Sequence, residues 1–130
     1  MDYRKIIKEQ FKNDDDLFAV ILYGSIVNNE LHDKSDIDIA FLPKNNDFDR
    51  RAKYSQLHDI DRNLDIVNLK KINPTLGMQI IKNHELLIVN DLAEWEAWKT
   101  QVLTQYHDLK ISNRNIIKDL GKYSPLEKNS

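Results

Sequence analysis

No cysteine occurs anywhere in the 130 residues. Disulfides, thiolate nucleophiles and thiolate metal sites are therefore excluded together. Glycine and proline are scarce, three of each, so the few present carry weight as turn and boundary markers. Neither sign of charge dominates: 19 Lys and Arg stand against 21 Asp and Glu, a net charge of −2. A surface that bound DNA or RNA by itself would need clustered cations to neutralise phosphates, so direct nucleic-acid binding is not expected. No apolar run approaches a membrane span, and the opening Met-Asp-Tyr-Arg-Lys lacks the apolar core of a secretion signal. A cytoplasmic protein without membrane contact is the expectation.

What is present is an ordinary globular mixture, 41% hydrophobic and 31% charged, with chain enough for one real core. We expect one domain over residues 1–123 and a flexible tail over 124–130. Ile6, Ile7 and Phe11 recur at helical spacing, so a short amphipathic helix opens the chain and Asn13-Asp14-Asp15-Asp16 breaks it as a solvated turn. Leu17 to Leu22 is continuously apolar, as in a central strand buried on both faces. One or two helical turns are expected over Ile26 to Leu31. Asp36 to Leu42 reads as a second strand stopped by Pro43, and Phe48 to Leu57 as a helix. Leu64 to Leu69 reads as a third strand, with Asp65, Val67 and Leu69 on one face. Asn73-Pro74 marks a helix start, N-cap then proline, running to about Lys82. Glu85 to Val89 makes a short fourth strand. Asp91 and Glu94 form a capping box for a long terminal helix that presents Leu92, Trp95, Trp98, Val102, Tyr106 and Leu109 on one side. Ser112-Asn113 is a candidate break in that helix, and Gly121 its end. The fold class expected is α/β (α+β): a small mixed sheet of about four strands with helices packed on it.

The chemistry concentrates between the first two strands. Gly24-Ser25 ends the first strand, and Asp36-Ile37-Asp38 begins after ten intervening residues. Side chains two apart on a strand share a face, so Asp36 and Asp38 point together while Ile37 and Ile39 enter the core. Their Cα atoms lie about 6.5 Å apart at the strand rise, close enough for short carboxylates to converge on ions between them. Asp65, on a strand that could lie alongside, offers a third acid. Mg²⁺ favours such a set, taking a few carboxylates, waters and substrate phosphate oxygens. Two ions so held activate an attacking hydroxyl and stabilise the leaving oxygen of an in-line displacement. Glycine allows close backbone approach, and amides opening a following helical turn suit a phosphate. A lone Gly-Ser is usually only a turn, and a lone Asp-x-Asp usually an exposed strand edge. Here an apolar strand precedes the first, an apolar run continues the second, and a third acidic strand follows.

The run Gly24-Ser25…Asp36-Ile37-Asp38 resembles the Gly-Ser-x₁₀-Asp-x-Asp signature of the DNA polymerase β-like nucleotidyltransferases. Size and the three acids are similar to the minimal nucleotidyltransferases, the antitoxin members of HEPN/MNT toxin–antitoxin pairs. The resemblance covers about residues 15–92 and implies the nucleotidyltransferase fold. It also implies that Asp36 and Asp38 bind both of two Mg²⁺ ions, that Asp65 assists one and helps activate the acceptor, and that Gly24 and Ser25 contact the triphosphate. By the same resemblance the donor is ATP, the acceptor a tyrosine hydroxyl of a HEPN toxin, and the protein a hetero-oligomer with that toxin. One departure stands out. The family often carries a small residue, a basic residue and Gly after Gly-Ser-x, where this chain has Val27-Asn28-Asn29.

Two other functions are compatible with the residues. One is a non-catalytic antitoxin that masks the toxin through its terminal helix, where Trp95, Trp98 and Tyr106 are most simply the face covering the sheet and alternatively a hot spot for the toxin. The other is adenylylation of a small molecule such as an aminoglycoside. The second Asp-Ile-Asp, Asp59 to Asp61, is expected to be a solvated loop, and His32, His58, His84 and His107 to be surface or interface residues.

Overall fold

The computed structural model describes residues 1–120, with side-chain environments through Ser112; the expected helix end at Gly121 and the tail at 124–130 lie outside the described residues. Asp2 starts the first helix, α1 (Tyr3–Phe11), its carboxylate accepting the Lys5 N–H at 3.1 Å. The acid run after it is a turn, in which Asp14 pairs with Lys53 at 3.1 Å. Four strands follow the expected order: β1 (Leu17–Tyr23), β2 (Ile37–Pro43), β3 (Leu64–Asn68) and β4 (His84–Val89). They lie side by side as β3-β2-β1-β4. β1 pairs antiparallel with β2 and β4, and β2 pairs parallel with β3. The parallel pair needs a crossover, supplied by α2 (Arg50–Gln56). The sheet is mixed, as expected.

Each face of the sheet has its own apolar layer. On one, Leu17, Val20 and Leu22 of β1 meet Ile37, Ile39 and Phe41 of β2 beneath Ile7 and Phe11 of α1 and Leu57 beyond α2. On the other, Ala19, Ile21, Ala40 and Leu42 are covered by α3 (Pro74–Lys82) and by α4 (Leu92–Leu120), through Ile80, Trp95, Trp98 and Val102. β1 is thus apolar throughout because both its faces are covered. Trp95 and Trp98 are only 2% and 6% exposed and stack 5.2 Å apart. The Trp98 indole N–H donates to the Leu69 carbonyl at 2.9 Å. They belong to the core. Among the described residues no helix is long and apolar enough to cross a membrane.

Several boundaries differ from the sequence reading, each for a local reason. The helical segment expected over Ile26 to Leu31 is a single 3₁₀ turn, Gly24–Ile26, because Asn29 adopts left-handed φ, +56°. Leu69 leaves β3 for a second 3₁₀ turn, since the Asn68 side chain accepts the Lys70 N–H and caps it. α2 starts at Arg50 rather than Phe48 because Asp49 is its N-cap. Only half of the capping box at α4 is used: Asp91 accepts the Glu94 N–H, while its own N–H donates to the Phe18 carbonyl. Leu92 and Leu109 are exposed at 59% and 38%, as α4 reaches past the sheet at both ends. No break occurs at Ser112-Asn113; α4 runs through it.

The contact between α3 and α4 depends on Gly77. A Cβ there would lie 2.7 Å from Val102 Cγ1. Gly77→Ala sets a helix-propensity gain of about 1 kcal/mol against overpacking of about 1–3 kcal/mol. The expected net result is a lower melting temperature by circular dichroism, partly restored in the Gly77→Ala/Val102→Ala double variant.

Candidate active site

The strand register assembles the site. Asp38 pairs with Asp65 on β3 and with Tyr23 on β1, and Tyr23 pairs in turn with His84 on β4. Directly opposed residues point to the same face. Asp65, Asp38, Tyr23 and His84 therefore form one row across all four strands, on the face that α3 and α4 cover. The row lies where β1 runs out into the Gly24–Ile26 turn. Asp36 stands one step outside β2, exposed, with the parity of Asp38.

The acids are close enough to perturb one another. Burial first, then the charges of Asp65 and Asp36 and a hydrogen bond with Asp65, push the Asp38 carboxyl up to about 6. Burial, followed by Asp65 and Asp38, also pushes the Tyr23 hydroxyl above the ordinary phenol range, so it stays protonated. Among the described residues, no ion pair involves Asp36, Asp38 or Asp65. The site is deficient in positive charge. Its oxygen-only donors suit a hard cation such as Mg²⁺. No three His, Asp or Glu side chains among the described residues are close enough to share one ion as folded; Asp38 and Asp65 are the adjoining pair.

Gly24 fits against this pair. Its φ is +77°, and a Cβ placed on it would overlap Asp38 Oδ2. The turn and the carboxylate are in direct van der Waals contact, which only the missing side chain permits. Two hydrogen bonds anchor the turn from outside it. Arg4 donates through Nε to Glu85 at 2.7 Å and through Nη2 to the Ile26 carbonyl at 3.1 Å. The Glu30 N–H donates to the Ser25 carbonyl at 2.9 Å. Asn29, in the place of the family's glycine, keeps a left-handed backbone that Asn tolerates better than most residues. Asn29 thus holds a left-handed backbone of the kind a glycine would, and Asn28 carries no charge.

Sequence reasoning missed three residues here. Tyr23 was hidden by the unbroken apolar run before it; only the cross-strand register gives its parity with Asp38. His84 is not a surface residue. Its Nδ1 lies 3.0 Å from the Ile80 and Ile81 carbonyls, and its ring stands edge-on to Trp95 at 5.4 Å, which ties the end of α3 to the row. Arg62 donates through Nη2 to the His32 carbonyl at 2.6 Å, while its Nη1 is buried without a partner among the described residues. It braces the connection between Ser25 and Asp36 against the lead-in to β3, where the Ile37 N–H also donates to the Asn63 carbonyl. The other expectations hold more simply: Asp59 and Asp61 are exposed around a buried Ile60.

Comparison with known proteins agrees with this geometry. A Methanocaldococcus jannaschii protein named as a candidate protein adenylyltransferase is 32% identical over 76 residues, which are 58% of this chain and 59% of that protein. A crystal structure of a toxin–antitoxin with AMP-PNP superposes with a TM-score of 0.73 at 26% identity, covering 92% of this chain and 98% of the other. A structure of a tri-AMPylated Shewanella oneidensis HEPN toxin in complex with MNT antitoxin gives 0.67 at 25% identity, covering 91% and 94%. The family model described as "Polymerase beta, Nucleotidyltransferase" matches residues 5–93, more than half of the chain. From the register-built acid row to that match, the chain belongs to the polymerase β nucleotidyltransferase family.

Proposed function

We propose that this chain is the antitoxin of a HEPN toxin and silences it by transferring AMP from ATP to a toxin tyrosine hydroxyl, in the cytoplasm and in a hetero-oligomer with the toxin. The observation that carries this reading is the contact between Gly24 and Asp38, which brings a phosphate-sized turn against the acid pair. We take residues 1–123 as the catalytic domain.

In this reading Asp36, Asp38 and Asp65 would hold Mg²⁺, two ions in all, which would supply charge neutralisation to the phosphates and to the attacking oxygen. The amides of Gly24 and Ser25 open the 3₁₀ turn without partners inside it and face the triphosphate with the Ser25 hydroxyl. Asp65, on the edge strand, meets the acceptor. The tyrosine oxygen bonds to the α-phosphorus, the bond from that phosphorus to the bridging oxygen breaks, and pyrophosphate leaves. The hydroxyl proton passes to the Asp65 carboxylate and then to water. One relative's toxin is tri-AMPylated, and successive transfers to one acceptor are included in the proposal.

The test is incubation with ATP, Mg²⁺ and the HEPN protein encoded beside it, read by intact mass. We expect adenylate increments on the toxin and loss of its ribonuclease activity. No increment, with an Asp36→Ala/Asp38→Ala variant neutralising as well as wild type, would leave a masking antitoxin instead. Masking through Trp95 and Trp98 is disfavoured because both side chains are buried.

A further inference from the structure

A recess opens at the outer edge of the sheet, over the C-terminal end of β3 and two residues along it from Asp65. It holds about 300 Å³ and is lined by Arg50, Asn68 and Lys71 together with Phe48, Val67 and Leu76. Its polar groups are all donors. Arg50 and Lys71 are exposed and make no ion pair or side-chain hydrogen bond among the described residues. Asn68 is the buried polar residue of the core, 9% exposed. Its Oδ1 already accepts the Lys70 N–H at 3.0 Å, so its amide NH₂ is what remains to offer. Two cations and an amide donor suit a phosphate, and the apolar walls suit the flat face of a base.

Position decides which nucleotide. Val67 follows Asp65 by two residues on the same face of β3, about 6.5 Å along the strand. Gly24 lies on the opposite side of Asp38, at the end of β1. By the strand order the Gly24 turn, at the end of β1, and the recess, along β3, therefore lie on opposite sides of Asp38. Resting on the adenylyl-transfer reading above, we infer that this recess holds an AMP unit already attached to the acceptor. Its phosphodiester meets Arg50, Lys71 and Asn68, and its ribose hydroxyl is thereby presented at Asp65. That hydroxyl oxygen bonds to the α-phosphorus of the next ATP, pyrophosphate leaves, and the proton passes to Asp65 and water. The recess makes transfer repeatable.

The experiment compares wild type with Arg50→Glu/Lys71→Glu, and with Arg50→Lys/Lys71→Arg as the charge-keeping control. Each acts on the HEPN partner with ATP and Mg²⁺, and time-resolved intact mass separates one, two and three adenylates. Melting temperatures verify folding, which two exposed positions should preserve. The expected result is that the first adenylate slows less than about threefold while the second and third slow at least about tenfold, with the control close to wild type. Equal slowing of all steps with a raised KM for ATP would assign the recess to the donor and overturn the inference. So would later steps at the wild-type rate in the charge-reversed protein, or a wild-type enzyme that stops at one adenylate. No adenylate at all from wild type would instead refute the underlying activity.

Discussion

Gly24→Ala is expected to disable adenylyl transfer while leaving a folded protein. Two costs meet at this position. An alanine held at φ +77° pays roughly 1–2 kcal/mol for the left-handed backbone. Its methyl carbon would also overlap Asp38 Oδ2, so either the turn or the carboxylate must move. A displacement of about 1 Å at a reacting centre costs on the order of 10²-fold in rate, and here the proposed donor turn and the proposed metal ligand would shift together. The measurement is initial adenylate incorporation beside a thermal melt. Ser25→Ala is the comparison, since it removes one hydroxyl donor and moves nothing. A Gly24→Ala enzyme within a few-fold of wild type would show that the contact between turn and carboxylate does not matter.

Asp38→Asn should have the second large effect, of opposite sign on activity and on stability. Loss of one carboxylate from the ion site removes several kcal/mol of charge stabilisation, on the order of 10³-fold in rate. The metal-free protein, by contrast, should become more stable. With its carboxyl pushed up to about 6, the folded state holds the Asp38 proton more tightly than the unfolded chain does. This contribution is fully present below the ordinary carboxylate pKa and is lost as pH rises through about 6. Above that, ionised Asp38 destabilises the fold. The asparagine variant should therefore melt higher than wild type at neutral pH, by on the order of a few degrees, and the difference should vanish in acid. Mg²⁺ is expected to raise the wild-type melting temperature, and less so below about pH 6, where protons would compete for the carboxylate. A wild-type protein whose stability rises from mildly acidic to neutral pH, with Asp38→Asn unchanged, would contradict the assignment.

Much of this was legible in the sequence, and what was not has a common cause. Asp36 and Asp38 declared a shared face by their spacing, and Asn73-Pro74 announced α3 because cap and proline act on the nearest backbone. Asp65 could be suspected because it sits on a recognisable strand. Tyr23 and His84 could not, since their place in the row is a property of pairing between strands, Tyr23 with Asp38 on β2 and with His84 on β4. Gly24 was expected to neighbour a phosphate, but nothing in the sequence marked it as the residue that makes room for Asp38. Trp95 and Trp98 showed periodicity, and periodicity alone does not say what covers them; the Leu69 carbonyl beneath Trp98 does. Arg62 gave no local sign of a role because its partner, the His32 carbonyl, lies across a loop.

The pairing of Tyr23 with Asp38 changes what the ten-residue interval between Ser25 and Asp36 means. Phosphate turn and carboxylate meet across neighbouring strands, so the intervening segment is an excursion that leaves the sheet and returns to it. Its length is free so long as it returns in register. A chain with a shorter or longer excursion would fail a pattern search for the motif and still place the same atoms together. The converse also holds: the same letters at the same interval, joined to strands that pair one residue out of step, would put the carboxylates on the opposite face, under α1. In this fold the inheritable unit is a cross-strand neighbour relation, and the linear signature is its shadow.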